Sequence, residues 1–440
     1  MLRRQGGAVR GLRRAAPGTR RPRRPRDRRL RRRDSGDGGD PPHRGVPAQA
    51  GARPPRGRTR PAAHARTRPA GAPDPAASGN RRPPVLRRRP EGEPFVTELR
   101  LGLVGAGAVG ALHVEAAQRV PGVRVASVCD LDPVAARRLA APLDARAYTD
   151  HRDLIASGGV DAVLVNTPHA VHTAIVCDAA AAGLHVLVEK PMATSLADCD
   201  AMIAACAEAR VRLAVGHVQR FLPDKAAAKA ALDAGEIGEP VLVSDRRGSD
   251  YRAGSRPSWF LDPRVAGGGV FINIGAHCVD RLLWLTGRRV EQVDGRLKNT
   301  PIETDVLVRL DLTGGLTAHI AVTSTGPAAP HDEMTVVGET GTLSISPHTG
   351  TALHKDGTTA WLHRPGPEDI PAAFAAQLAD FAAAVAEDRE PAVGGPHGRR
   401  VLEIILATYS SARRRGPVQV SGRRPPWPAA THPAPTSCSS

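Results

Sequence analysis

Three short segments hold residues whose types and spacing could do chemistry. Gly105-Ala106-Gly107-Ala108-Val109-Gly110 follows an apolar run over residues 99–104 and opens a segment with helical spacing. In that context the first glycine permits a tight turn, the second lets a pyrophosphate approach the backbone, and the third lets helix and strand sit close together. Free N–H groups and the dipole at the start of the helix then favour an anion. Asp130 ends the next apolar run, 25 residues after Gly105, where a carboxylate can bind both hydroxyls of an adenosine ribose. That combination predicts a bound nicotinamide dinucleotide, NAD rather than NADP, because the carboxylate repels a 2′-phosphate. Asn166-Thr167-Pro168-His169-Ala170-Val171-His172 and Gly183-Leu184-His185-Val186-Leu187-Val188-Glu189-Lys190-Pro191 both fall at carboxyl ends of predicted parallel strands, where ligands of open α/β sheets bind.

The elements that position these segments alternate in type. Residues 99–104, 123–129, 160–166, 185–188 and 212–215 read as buried strands separated by alanine-rich helical segments, which predicts a doubly wound parallel sheet of the Rossmann kind. Thr167-Pro168, with Thr as N-cap and Pro at the first helical position, and Ser195-Leu196-Ala197-Asp198, a capping box, mark helix starts. Past Gly238 short strands follow one another over residues 240–245, 290–297, 304–312, 316–325, 334–338 and 341–345, the pattern of an open, mostly antiparallel sheet in a second, α+β domain. Phe374, Leu378, Phe381 and Val385 recur at helical steps, so a helix covers that sheet or returns to the first domain. The expected division is a tail over 1–95, a dinucleotide domain over 96–217, a substrate and oligomerisation domain over 218–415, and a disordered end over 416–440.

With these segments in hand, the chain resembles the Gfo/Idh/MocA oxidoreductases. The resemblance rests on the T-P-x-x-x-H and E-K-P segments, on Gly216-His217-Val218-Gln219-Arg220-Phe221, and on Gly267-Gly268-Gly269-Val270-Phe271-Ile272-Asn273-Ile274-Gly275-Ala276-His277-Cys278-Val279-Asp280, spanning about 99–415. It implies that Lys190 lies beside the nicotinamide and the reacting carbinol and that His277 faces it from the second domain, with Thr167, Pro168, His172 and Glu189 lining the cofactor site and Arg220 reaching the substrate. It implies a secondary alcohol of a sugar, sugar derivative or cyclitol as substrate, no metal, and a homodimer or homotetramer. Elementary chemistry agrees for the two central residues: burial lowers a lysine pKa and histidine titrates near neutrality, so either can move a hydroxyl proton. Asn273 departs from the family pattern, which commonly has Asp there; an amide cannot take a proton but can orient His277 or bind a substrate hydroxyl. His172 either lines the nicotinamide pocket or packs its helix. Arg246, Arg247, Arg252 and Arg256 crowd together before Trp259-Phe260, either as solvated or acid-paired side chains or as a site for an anionic sugar.

Composition limits the alternatives. Residues 1–95 carry 27 arginines against 7 acids, a net +20, whereas the rest of the chain carries 34 bases against 37 acids. The strong positive charge therefore belongs to a tail with too few apolar residues to offset chain entropy. Three readings of it stand: a start site assigned too early, with translation beginning near Val96; an unstructured extension; or an arm for nucleic acid. Six scattered cysteines without metal spacing argue against zinc and against a disulfide framework, and with no apolar signal segment this predicts a reducing, cytoplasmic location without membrane association. A catalytically silent NAD(H) sensor or scaffold is the rival to a dehydrogenase, and a nucleic-acid-associated protein acting through its tail is a second.

Overall fold

The computed structural model describes residues 98–251, 254–299, 302–324 and 331–420. The expectations for residues 1–95, for Arg252 and for the chain beyond 420 lie outside them.

The first sheet is built from β1 (Leu99–Val104), β2 (Val123–Cys129), β3 (Arg146–Tyr148), β4 (Ala162–Val165), β5 (His185–Glu189) and β6 (Leu213–Gly216), connected through α1 (Ala108–Arg119), α2 (Pro133–Ala140), α3 (His151–Ala156), α4 (His172–Ala181) and α5 (Leu196–Glu208). Its order is β3-β2-β1-β4-β5-β6 with every pair parallel, which confirms the Rossmann expectation. The chain reverses direction of winding between β1 and β4, and that is where a crevice for ligands opens. Strands covered on both faces must be apolar throughout, and β4 and β6 are buried at every residue. Helix starts follow local chemistry: Asp132, Asp150 and Ser195 cap α2, α3 and α5 by accepting backbone N–H bonds from Val134, Arg152 and Asp198. Thr167 does not cap a helix as expected. Pro168 stays extended, a single 3₁₀ turn covers His169–Val171, and α4 begins only at His172.

After α6 (Pro223–Asp233) the chain forms the second sheet from β7 (Pro240–Gly248), with α7 (Pro263–Ala266) and α8 (Ala276–Thr286) inserted before β8 (Val290–Asn299), β9 (Glu303–Leu312), β10 (Thr317–Thr323), β11 (His331–Gly338), β12 (Thr342–Ser346), β13 (Gly350–Lys355) and β14 (Thr358–His363). The chain then runs through α9 (Asp369–Ala386) and α10 (Gly395–Arg414) to β15 (Val418–Gln419). The order β14-β13-β12-β11-β7-β10-β9-β8-β15 is antiparallel except where β10 runs parallel to β7. Because Val418 and Gln419 pair with β8, order continues past the expected limit at 416. Helix α9 returns to the first sheet: Phe374, Leu378, Phe381 and Val385 are buried with Leu99, Leu101, Leu103 and Val125. That docking explains why α9 is long and apolar enough, by length and composition, to cross a membrane. Removing a ring such as Phe381 from it costs about 3–5 kcal/mol.

Candidate active site

A cavity of about 640 Å³ opens at the carboxyl ends of β4 and β5 and is closed on its far side by β7, β11 and the start of α8. The glycine-rich turn forms one corner. Gly105 holds φ +103, which a side chain rarely adopts, and a Cβ there would stand 2.6 Å from the Asn166 carbonyl oxygen. At Gly110 a Cβ would collide with the Gly105 carbonyl, so this residue sets the approach of helix to strand. Gly107, by contrast, faces open space, and α1 begins beyond it with no side-chain cap and no acid in its first turn. Orphan N–H groups facing an open cradle suit a pyrophosphate. Ala106 and Ala108 complete the turn, and Val109 lines the cavity. Asp130 is pre-oriented: its Oδ2 accepts from Ala106 N at 2.7 Å and its Oδ1 from Asp132 N at 2.9 Å. Asn166 and Thr167 line the same space with side-chain N and O atoms that are buried and unpartnered, as groups waiting for a polar ligand are. These residues fit the dinucleotide.

At the centre stands Lys190, at the end of β5. Its Nζ donates to Asn273 Oδ1 at 2.8 Å and to the Asn273 carbonyl at 3.2 Å. Burial pushes Lys190 down to about 8; Glu189 opposes that effect, while Arg247 and Arg256 add to it. Glu189 is buried and held on two sides, by His113 Nε2 at 3.0 Å and by Lys190 N at 3.1 Å. The bonds of Asn273 thus run to the lysine, and among the described residues none joins it to His277. Its amide Nδ2 also points to the Tyr251 hydroxyl at 3.4 Å. His277 lines the cavity with its Nδ1 unbonded. Burial first, then Lys190 and Arg247, hold the imidazole well below its ordinary pKa and so neutral. The two residues are four apart, yet the backbone between them is not plain α-helix: Phe271–Gly275 form a π-turn that runs into α8. Glu303 and Tyr409 anchor that turn. Glu303 accepts from Phe271 N and from the Tyr409 hydroxyl, and Tyr409 in turn accepts from Ile272 N.

Several expected residues take other places. His172 does not line the cavity; it is fully buried, with its ring nitrogens at the carbonyls of Met192 (3.2 Å) and Thr167 (2.9 Å), so it secures the turn carrying Thr167. In this segment it is His169 that faces the cavity, bonded to the Ala266 carbonyl at 2.8 Å and lowered to about 3 by burial and by His172. Pro168 contributes only the extended link before that residue. Arg220 is not at the cavity. Its guanidinium bonds Asp280 at 2.9 Å and His397, so its charge is already compensated. Trp259 and Phe260, to which sequence reasoning gave no role, line the cavity and stack on each other, with the buried Tyr251 edge-on to Phe260; the pairing of His113 with Glu189 spans 76 positions and leaves no local signal.

Residues 99–217 match the oxidoreductase family with an NAD-binding Rossmann fold, and residues 226–344 match the GFO/IDH/MocA C-terminal domain. The chain is 32% identical to inositol 2-dehydrogenase 1 of Saccharopolyspora erythraea over 59% of its own length and 77% of that protein. It is 28% identical to the scyllo-inositol 2-dehydrogenase (NAD(+)) of Bacillus subtilis over 74% of its length and 98% of that protein. The crystal structure of an aldose-aldose oxidoreductase from Caulobacter crescentus complexed with glycerol superposes with TM-score 0.67 at 27% identity, covering 73% of this chain and 99% of the other. With both domains matched in order around one cavity, the chain belongs to the Gfo/Idh/MocA family of NAD-binding oxidoreductases.

Proposed function

We propose that this protein interconverts a secondary alcohol of a sugar, sugar derivative or cyclitol and the corresponding ketone, using NAD. The observation that carries the reading is the Lys190 ammonium held on Asn273 in a cavity between the glycine-rich turn and the second sheet. The relatives are dehydrogenases of inositols, whose reacting group is a ring alcohol of this kind. Residues 96–217 hold the dinucleotide and residues 218–415 complete the substrate site. Gly105 to Gly110 and the start of α1 take the pyrophosphate, Asp130 the adenosine ribose, and Asn166, Thr167 and Glu189 border the nicotinamide end. When bound, NAD supplies the acceptor for the carbinol hydride. Lys190, whose pKa lies near working pH, takes the hydroxyl proton during oxidation and returns it during reduction. His277, neutral and unbonded at Nδ1, holds the same hydroxyl by a hydrogen bond. A homodimer or homotetramer and a cytoplasmic location are the expectations that go with this reading.

The test is a panel of neutral sugars, cyclitols, sugar acids and sugar phosphates with NAD and NADP, followed by absorbance of the reduced nicotinamide. Hydride transfer from at least one polyol is expected. Tight NAD binding without transfer from any member would refute the reading and favour a silent sensor.

A further inference from the structure

The wall of the cavity opposite the glycine-rich turn holds cationic N–H groups that its carboxylates leave unbonded. Asp224 is bonded to Lys225 at 2.6 Å, Glu189 to His113 at 3.0 Å, and Asp369 to His363 at 2.8 Å. Asp332, the acid nearest Arg247, gives its Oδ1 to the buried Arg281 at 2.6 Å and reaches Arg247 Nε only at 3.3 Å. Arg247 Nη1 is buried and has no partner. Arg256 bonds a hydroxyl and a carbonyl, Ser249 Oγ at 2.7 Å and Asp250 O at 3.2 Å, with the Asp250 carboxylate within electrostatic range, and its guanidinium lies over the Tyr251 ring at 4.9 Å. A third donor stands beside them. In the β7–β11 ladder His331 pairs with Gly248, where only a glycine leaves room for the imidazole, and His331 Nε2 is likewise buried and unpartnered. Arg247, Arg256 and His331 all line the cavity that holds Lys190 and His277. Buried donors without partners are costly, and planar guanidiniums suit the two oxygens of an oxyanion.

We propose that this wall is an anion subsite, and that the substrate is an acidic sugar whose carboxylate is held by Arg247 and Arg256 while its secondary alcohol faces Lys190. This rests on the dehydrogenase reading above. The same guanidiniums would accept a phosphate ester, but acids already neighbour both of them, so the wall takes up one added negative charge better than two.

The experiment compares matched compounds on the intact enzyme: a hexose, its uronate and its phosphate monoester. Each is measured for kcat/KM with NAD and for Kd on the NADH-loaded protein by calorimetry. The uronate is expected to exceed the hexose by about 10- to 100-fold in both, as for a charge-assisted bond pair. In Arg256→Gln that ratio should fall toward one, through KM more than kcat, while Arg256→Lys keeps part of it. Equal or better binding of the hexose in the native protein overturns the subsite, and so does an unchanged ratio in a folded Arg256→Gln. A preference for the phosphate over the uronate keeps the anion subsite and overturns its assignment to a carboxylate. Preferential uronate binding without hydride transfer from any compound keeps the subsite and overturns the dehydrogenase reading.

Discussion

Replacing Asn273 by aspartate tests which group moves the proton. The amide oxygen stands 2.8 Å from Lys190 Nζ, so Asn273→Asp places a full negative charge where a dipole now sits. At that distance an effective dielectric of about 20 gives an attraction of about 6 kcal/mol, an upper bound. Acids beside cations shift pKa values by about 1–3 units in practice. An added anion stabilises the ammonium, so the lysine pKa moves upward from about 8. At about pH 8 the neutral fraction then drops from one half to about a tenth for a one-unit shift and about a hundredth for two. Oxidation therefore slows about 5- to 50-fold near that pH and recovers in stronger alkali. In the reductive direction, where the ammonium donates, the alkaline limb moves up by the same amount. The assay is the pH profile of kcat/KM in both directions, with the NAD dissociation constant as control. If the limb stays in place or moves down, Lys190 is not the titrating group and the assignment of roles is wrong.

Lys190→Ala and His277→Ala should each lower kcat by about 10² to 10⁴ with NAD affinity little changed, as measured by steady-state kinetics and cofactor titration. The two glycines on either side of Val109 should separate binding from stability. Gly107→Ala meets nothing in the protein and should keep the melting temperature while weakening NAD, whereas Gly110→Ala drives a methyl into the Gly105 carbonyl and should lower the melting temperature as well. NAD should be bound roughly thirtyfold better than NADP, about 2 kcal/mol of screened repulsion from Asp130, and Asp130→Ala should narrow that gap in a titration of both cofactors.

What was legible in the sequence follows from burial. Strands β1 and β2 lie inside a parallel sheet, so they are mostly apolar despite Arg100, Arg124 and Ser127 and their limits coincide with those expected, whereas β3 is three residues long with no buried residue and gave no such run. Strand β14 escaped notice for the same reason, since it has no buried residue at all, and β13 buries only Gly350, Thr351 and Ala352, which make no apolar run. Gly105 and Gly110 were readable because their spacing after an apolar strand is itself a signal, although the atoms crowding Gly105 belong to the distant Asn166. Ion pairs were not: Arg220 with Asp280, or Arg281 with Asp245, join residues 60 and 36 positions apart. An arginine in a family motif looks the same in sequence whether it meets substrate or an internal acid. His172 misled in a related way, because a buried ring satisfied by carbonyls and a ring lining a pocket both sit at the start of a helix.

Those distant pairs explain how the site keeps its shape. Arg281 lies one helical turn beyond His277 on α8 and is fully buried. Its guanidinium bonds Asp245 on β7 and Asp332 on β11, so one side chain fixes the helix carrying His277 against the wall carrying Arg247. Burying three charges is a poor route to stability alone, since desolvation offsets most of the attraction, yet removing one member leaves an uncompensated charge and costs about 3–5 kcal/mol. The arrangement makes sense as a positioning device. It also decides which N–H groups stay open, because Asp332 divides its oxygens between Arg281 and Arg247 and leaves Arg247 Nη1 unbonded. The network that holds His277 in place thus leaves an N–H group of the facing wall without a partner, and the guanidiniums of that wall help to lower Lys190 to about 8.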